Sequence, residues 1–358
     1  MSRLTRKPPR IDTLMRYANM LGFGDIHTKI DTANNLRSIV AVHNTDLGPA
    51  IGGCRFYPYT SFSHAYKDVL RLAYMMTLKS AISELPHGGA KAVILYPKHA
   101  FDRQKLMNAF GNFVNKLQGE YITSMDVGTT AEDMDYIAES TPYVIGTTKA
   151  LQADLAAYTG LGLFRGLEAA AKFKLQRDTL EGVHVVFQGA GKVSYEVCKH
   201  LHKAKAKITL CDINTASLPR YQEEFGATIV APEAIYDVPC DIFSPSAIGG
   251  TINKHTIERL NTSIVAGAAN NQLAHTRFIQ LLEQKNILYA PDYVINAGGV
   301  IYAALAYGHK SEEEILQKID AIYPRLLRIF EEAQSDGIST TEVSFKMAKR
   351  RLEQARQK

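Results

Sequence analysis

The chain of 358 residues is long for a single hydrophobic core, so two domains of ordinary size are expected. Hydrophobic residues make up 46% of the sequence and charged residues 22%, which is typical of soluble globular proteins. The formal net charge of +5 arises mostly at the two ends. No basic segment interleaved with aromatic residues predicts a nucleic-acid site.

The sequence does not predict a secreted or membrane protein. Prolines follow the basic N-terminus where a signal peptide needs an apolar stretch, and the most apolar segment, residues 293–308, is too short to span a bilayer. The four cysteines are widely spaced without a C-x-x-C pair, which argues against a disulfide framework and a zinc site. We therefore expect a cytoplasmic protein with reduced thiols, no resident metal, and neither a nucleic-acid nor a membrane partner.

Residues 1–150 alternate strand-like runs with amphipathic helical stretches, a pattern typical of an α/β domain. The strand-like runs are SIVAVHN, KAVILY and EYITSMDV, and KLMNAFGNFVNKL is one of the helical stretches. The apolar residues of HAYKDVLRLAYMM recur at helical spacing, so a buried face carries Lys79 to the end of a helix. The segment ALQADLAAYTGLG, with Gly160 and Gly162, predicts a hinge before a long helix, GLFRGLEAAAKFK.

Three side chains of this first part are interpreted as lying at element ends: Lys79, Lys91 and Asp126. Two ammonium groups in one cleft repel each other, so one of the two lysines is expected to lose its proton near neutral pH while the other holds an anionic group. A carboxylate beside them can accept a proton. The glycine pair before Lys91 permits close approach of backbone and ligand.

A second α/β series begins at VHVVF and continues with KITLCD, ATIVAP, CDIFSP, SIVAGAA and ILYAPDYVI, before a helical region from about Glu312. In VHVVFQGAGKVSYEVCKHL a strand, a glycine turn and a helix follow in the order of a dinucleotide site. Gly189 permits the tight turn, Gly191 lets a pyrophosphate approach the helix N-terminus, and Ser194 is a small residue in place of a third glycine. The other loop residues of this predicted site are Ala190, Lys192 and Val193.

The next strand ends in Asp212, about 20 residues beyond the glycine turn, where a carboxylate can bind the adenosine ribose hydroxyls. That carboxylate would repel a 2′-phosphate, so NAD is favoured over NADP. Lys192 and Lys207 carry positive charge nearby in sequence and would weaken the preference, although both are equally consistent with solvent-exposed lysines.

Many of these residues lie in motifs that resemble the Glu/Leu/Phe/Val dehydrogenase family, in its leucine and phenylalanine dehydrogenase branch. The motifs are GPAIGGCRF, MTLKSA, PHGGAKAVI, DVGTTAEDMDYI, FRGLEAAAK, VFQGAGKVSYEV, CDIFSPSAIGG, NNQL and APDYVINAGGV. The resemblance implies an α/β fold of two domains with a cleft between them, and a homo-oligomer. The substrate domain would be 1–155, completed by C-terminal helices at about 325–358, and the Rossmann-type NAD-binding domain 156–324.

The resemblance also implies residue roles in oxidative deamination. Lys79 would anchor the substrate carboxylate with Asn296, Lys91 would activate water, and Asp126 would shuttle protons to and from the nitrogen. Gly52 and Gly53 would leave room for the substrate backbone. On the cofactor side it adds Thr159, Ala247 and Asn271.

Ile51 directly precedes the Gly-Gly pair, where glutamate dehydrogenases of the family have a lysine for the substrate's distal carboxylate. A branched-chain or other apolar amino acid is therefore expected, with the small Ser124 leaving room for its side chain. An aromatic amino acid dehydrogenase, a glutamate dehydrogenase and a catalytically silent NAD-binding protein are the alternatives. Three differences from the leucine-type pattern are Met75, Ser80 and Ala304 to Ala306.

Overall fold

The computed structural model describes residues 11–149 and 154–357, and these form two compact units. The first unit contains 11–149 and 349–357, and the second contains 154–348. The C-terminal contribution to the first unit is thus shorter than the expected 325–358. The reason is that the helix Ile322–Asp336 packs on the second unit's helix Leu155–Leu175, with the rings of Phe330 and Phe173 5.4 Å apart.

The first unit is built on one mixed sheet. Its elements are α1 (Ile11–Leu21), β1 (Asp25–Asp31), β2 (Leu36–Asn44), β3 (Ala50–Tyr57), α2 (Phe62–Ile82), β4 (Gly88–Leu95), α3 (Arg103–Asn115), β5 (Tyr121–Met125) and α4 (Ala131–Ala138). The strand order is β1-β2-β4-β3-β5, with β3 parallel to both β4 and β5 and the remaining pairs antiparallel. One face packs on α3 and α4 and the other on α1 and α2.

The second unit is a parallel sheet with helices. Its elements are α5 (Leu155–Leu175), β6 (His184–Gln188), α6 (Lys192–Lys203), β7 (Lys207–Cys211), α7 (Leu218–Phe225), β8 (Thr228–Ile229), β9 (Ile242–Pro245), α8 (Lys254–Arg259), β10 (Ile264–Val265), α9 (Phe278–Gln284), β11 (Leu288–Tyr289), α10 (Asp292–Ile295), α11 (Gly298–Tyr307), α12 (Glu312–Asp320) and α13 (Ile322–Asp336). The last helix, α14 (Thr340–Arg356), begins in this unit and ends in the first.

The sheet of the second unit has the order β11-β10-β9-β6-β7-β8, and its strand pairs are parallel. The order reverses between β6 and β9, the place where doubly wound sheets bind dinucleotides outside the carboxyl ends of their strands. The expected Rossmann-type domain is confirmed. Among the described residues, no helix is both long and apolar enough to cross a membrane.

The predicted hinge at Gly160 and Gly162 is wrong, because both glycines lie inside the continuous helix α5. A Cβ at Gly160 would lie 2.6 Å from the Cβ of Glu196 in α6, and one at Gly162 would lie 3.2 Å from the Cα of Gly298 in α11. These glycines therefore let neighbouring helices approach. The predicted strand ILYAPDYVI is also only partly correct, since it divides into β11 and α10.

Candidate active site

The register of β3, β4 and β5 brings the predicted substrate residues onto one face of the first sheet. Ile51 lies opposite Gly89 of β4 and Ile122 of β5, and Gly53 lies opposite Ser124. Side chains alternate along a strand, so positions two apart share a face. Lys91 follows Gly89 by two positions and therefore belongs to the same face.

Lys91 and Asp126 meet on this face. The Nζ atom of Lys91 is 3.2 Å from Oδ2 of Asp126, and the lysine is only 7% exposed. Asp126 directly follows β5, as expected, but Lys91 lies in the interior of β4, so its predicted position at an element end is wrong. Because β4 is paired with a strand on each side, the backbone from which the Lys91 side chain extends is held in a fixed position.

Arg55 is a third charged group at this position that sequence reasoning missed. Its Nε donates to Oδ2 of Asp126 at 2.9 Å, and one terminal guanidinium nitrogen donates to Oδ2 of Asp68 at 2.8 Å. The one signal in the sequence is an arginine within the motif GGCRF, where glycines weaken the appearance of a strand. Asp68 lies on α2 and gives no signal of its own in the helical pattern.

Burial raises the pKa of Asp126, but the charges of Lys91 and Arg55 and the hydrogen bonds from both outweigh it and hold the pKa below the ordinary value. The backbone around the carboxylate is also fixed. Thr129 Oγ1 accepts from the Asp126 amide at 2.9 Å and donates to the carbonyl of Cys54 at 3.1 Å. The site therefore holds an ionised carboxylate in one place.

Lys79 lies in the last turn of α2, as its helical pattern predicted, and its side chain is half-buried. This helix packs tightly on β4: the hydroxyl of Ser80 donates to the carbonyl of Gly88 at 3.3 Å, and a Cβ at Gly89 would overlap the backbone of Thr77. Packing of the helix therefore requires Gly89, whereas Gly88 is required by the end of β2, since its Cβ would overlap the carbonyl oxygen of Asn44. This packing fixes the position of Lys79 relative to the sheet.

Gly52 and Gly53 are also positions where close packing of neighbouring strands leaves no room for a side chain. A Cβ at Gly52 would overlap the backbone of Ala90, and one at Gly53 would lie 2.5 Å from the carbonyl oxygen of Met125 and 2.9 Å from the Cβ of Asp126. Ile51 beside them is 1% exposed. The strands thus approach more closely here than side chains would allow.

The glycine turn of the second unit has the geometry of an anion-binding helix start. Gly189 has φ +115°, a conformation that favours glycine, and its carbonyl accepts from Ser194 Oγ at 2.8 Å. α6 begins at Lys192 with Gly191 as its cap and no side-chain cap, and among the described residues no atom beyond its chain neighbours lies within 4 Å of a Cβ built at Gly191. Uncapped amides beside open space fit the pyrophosphate of a dinucleotide.

Asp212 is linked to this turn. Its Oδ2 accepts from the amide of Ala190 at 2.7 Å, and its Oδ1 accepts from the amide of Asn214 at 2.8 Å. Each carboxylate oxygen can accept more than one hydrogen bond, so the oriented carboxylate can also accept from ribose hydroxyls. Lys192 is exposed, and Val193 is half-buried in the first turn of α6.

The switch point of the parallel sheet brings Ala247 to the turn, since a Cβ at Gly189 would lie 2.7 Å from the Ala247 amide nitrogen. Asn271 has φ +53°, and Thr159 Oγ1 donates to the carbonyl of Leu155 in its own helix at 2.9 Å. The Nδ2 of Asn296 donates to the carbonyl of Ala268 at 3.0 Å and to Oδ1 of Asn270 at 2.8 Å. Its two N–H groups are thus used, and binding a carboxylate would require exchange of one of these bonds.

Comparison with known proteins places this chain in a family. Residues 24–143 match the domain described as Glu/Leu/Phe/Val dehydrogenase, dimerisation domain, and residues 209–358 match Glutamate/Leucine/Phenylalanine/Valine dehydrogenase. The chain belongs to the Glu/Leu/Phe/Val dehydrogenase family. This membership confirms the predicted family, the fold of two α/β domains and an oxidoreductase with a dinucleotide-binding domain.

Relatives within this family include enzymes for aliphatic and aromatic substrates. The chain is 46% identical to a leucine dehydrogenase of Thermoactinomyces intermedius, over 91% of this chain and 90% of that protein. It is 39% identical to a phenylalanine dehydrogenase of Bacillus thermotolerans, over 90% and 86%. The crystal structure of L-tryptophan dehydrogenase from Nostoc punctiforme superposes with a TM-score of 0.86 at 37% identity, covering 96% of this chain and all of that one.

Proposed function

We propose that this chain is an NAD-dependent dehydrogenase that deaminates a branched-chain or other apolar L-amino acid to its 2-oxo acid and ammonium. The observation that carries the substrate class is the buried Ile51, which shares the sheet face of Lys91 and Asp126. Glutamate bound beside Ile51 would bury a distal carboxylate without a cation, whereas an aliphatic side chain gains by burial. The leucine dehydrogenases among the relatives support this choice.

The described side chains have separate parts in the reaction. NAD, when bound, accepts the hydride from Cα. Lys79 binds the substrate carboxylate, Lys91 orients and activates the water that adds to Cα of the substrate imine, and Asp126 moves protons to and from the departing nitrogen. The contact of 3.2 Å between Lys91 and Asp126 allows a proton to pass from one group to the other. Asp212 supports NAD over NADP because its carboxylate would repel a 2′-phosphate.

A panel of amino acids tests the substrate class. We expect kcat/KM with leucine, valine or isoleucine to exceed that with glutamate by at least roughly tenfold, because an unpaired buried carboxylate is costly. Glutamate as the best substrate would contradict the argument from Ile51. The aromatic alternative has its own support in the small Ser124 on this face and in the phenylalanine and tryptophan dehydrogenases among the relatives. Phenylalanine or tryptophan as the best substrate would select it.

Replacement of the catalytic lysine tests the chemistry. Lys91→Ala should lower kcat by at least about a hundredfold with little change in NADH affinity, because the lysine acts on substrate. Lys67→Ala removes an exposed lysine of α2 and should leave kcat within about twofold, which makes it the matched control. A Lys91→Ala variant with more than about a tenth of the original kcat would rule out the assigned role.

The assembly and location are proposals of the same kind. We propose a homo-oligomer, since the first unit matches a domain described as a dimerisation domain. Light scattering of the purified protein would show a multiple of the 39.6 kDa chain, and a monomer would contradict it.

We propose a location in the cytoplasm. The thiols of four cysteines are free, as suits a reducing compartment, and imaging of a tagged protein would test this location; these cysteines are Cys54, Cys198, Cys211 and Cys240.

A further inference from the structure

The lysine–aspartate pair is one end of a longer hydrogen-bonded chain of side chains on α2, β3 and β4 and in the segments that follow β3 and β5. We call it the Arg55 network, and it consists of Tyr59, Asp68, Arg55, Asp126 and Lys91. The Tyr59 hydroxyl donates to Asp68 Oδ2 at 2.8 Å, and Arg55 then joins Asp68 to Asp126 at distances of 2.8 and 2.9 Å. Arg55, Asp68 and Asp126 are each about one-fifth exposed, so the network is partly buried.

Arg55 is held at both ends. Its guanidinium group is planar and rigid, so fixing one edge on Asp68 also fixes the Nε that donates to Asp126. Asp68 is in turn held by Tyr59 through Oδ2 and by Arg71 through Oδ1 at 3.0 Å. The arginine therefore does more than neutralise charge: it restrains the direction of the Asp126 carboxylate.

The restraint acts on one oxygen of Asp126 only. Both Arg55 and Lys91 contact Oδ2. Within 11–149 and 154–357, no group is found hydrogen-bonded to Oδ1. The oxygen left over is thus available to exchange a proton with a substrate nitrogen, while the other is held in place.

The groups that face Asp126 differ in whether their charge can change. From β3 these are Arg55 and Cys54, from β4 Lys91, and from β5 Tyr121. Burial raises the pKa of the Cys54 thiol to about 12 and raises that of Tyr121 as well, so both are neutral at working pH. Lys91 gains and loses a proton in the proposed reaction, whereas an arginine stays protonated. Arg55 is the constant positive charge beside Asp126.

We infer that Arg55 is a positioning residue of the reaction, held by Asp68, that directs Asp126 through Oδ2 and keeps it ionised in both protonation states of Lys91. This inference rests on the proposed role of Asp126 in proton transfer. It assigns no contact between Arg55 and the substrate. As a consequence, the enzyme should stay active at lower pH than it would if Lys91 were the only cation beside Asp126.

The test is the pH dependence of kcat/KM in Arg55→Gln. Activity requires ionised Asp126, so it is lost as pH falls through the pKa of that group, and removal of a neighbouring cation raises this pKa. The acidic limb of the profile should therefore move to higher pH by about one unit. We expect kcat to fall by roughly ten- to a hundredfold through misplacement of the carboxylate, with the KM for NAD unchanged. A loss of activity through structural damage alone would not move the acidic limb.

Two further variants separate charge from direction. Arg55→Lys keeps the charge without the rigid fork, so its acidic limb should stay near that of the original enzyme while kcat still falls by at least about fivefold. It carries the test by itself if Arg55→Gln does not fold. Lys67→Gln is the matched control, because it removes an exposed cation of the same helix α2 that takes no part in the Arg55 network, and its profile should be unchanged.

The outcomes distinguish this inference from the proposed function. If Asp126→Asn keeps full activity, the assigned role of Asp126 fails and the inference falls with it. If Asp126→Asn is inactive but Arg55→Gln, or Arg55→Lys in its place, keeps the original kcat and pH profile, only the role of Arg55 is refuted. An inactive Asp126→Asn together with a shifted limb in Arg55→Gln and an unshifted one in Arg55→Lys supports it.

Discussion

The substitution Gly53→Ala tests how closely strand packing controls the position of Asp126. A Cβ at Gly53 would lie 2.5 Å from the carbonyl oxygen of Met125 and 2.9 Å from the Cβ of Asp126. Ordinary contact begins at 3.4 Å, so the end of β5 would have to move away by about 0.9 Å. This movement would carry the backbone of Asp126 with it, because Asp126 directly follows the strand.

The magnitude follows from that displacement. A shift of about 1 Å in a catalytic group can lower the rate about a hundredfold, and we expect a loss of that size in kcat/KM. Overpacking between two buried strands should also lower the free energy of unfolding by roughly 1–3 kcal/mol. The assays are steady-state kinetics with leucine and NAD, and urea unfolding of the same preparation.

A matched control is available in the same unit. Within 11–149 and 154–357, no atom beyond the chain neighbours lies within 4 Å of a Cβ built at Gly24, so Gly24→Ala should change the free energy of unfolding by less than about 1 kcal/mol and leave kcat/KM unchanged. If Gly53→Ala kept kcat/KM within about threefold and its original stability, the strand spacing would not be what positions Asp126.

Three further predictions concern other parts of the chain. Gly189→Ala should raise the KM for the cofactor and lower stability by more than about 1 kcal/mol, because φ is +115° and the new Cβ would lie 2.7 Å from the Ala247 nitrogen; an unchanged KM would contradict the assigned turn. Asp212→Asn should lower the NAD to NADP ratio of kcat/KM by roughly tenfold, and an unchanged ratio would mean that the ribose is recognised elsewhere. The ion pair of Arg356 with Asp46, at 2.6 Å and with the arginine side chain 64% exposed, should show a coupling free energy below about 1 kcal/mol in a double-mutant cycle of urea unfolding; a larger value would indicate that it fixes the end of α14.

Much of the second unit could be predicted from local sequence. An apolar strand, a glycine turn and a helix occupy consecutive residues. Spacing alone therefore predicts that Gly189 and Gly191 lie in the turn and that Asp212 lies at the end of the next strand. The structure adds that Asp212 accepts from the Ala190 amide and that Ala247 lies beside Gly189. The second contact depends on the order of strands β6 and β9, which no local pattern contains.

Glycines were the least predictable residues. Gly160 and Gly162 indicated a hinge, yet they lie inside α5 because neighbouring helices approach them closely. Gly52 and Gly53 made the strand β3 difficult to predict, because glycine has a low strand propensity. The reason for these glycines is the close approach of β4 and β5, which only the structure shows. A glycine permits either a bend or a close contact, and only the neighbouring element decides between them.

The sequence by itself determined the family and the two α/β domains and singled out Lys91 and Asp126 as the proposed catalytic pair, because these follow from motifs and from hydrophobic periodicity along the chain. The tertiary structure decided that Arg55 and Asp68 join that pair and that Lys91 projects from the middle of a strand. The physical reason is that an ion pair depends on distances in space, and these side chains come from β3, β4, α2 and the residue after β5, which are separated in sequence. Their meeting is set by strand order and register.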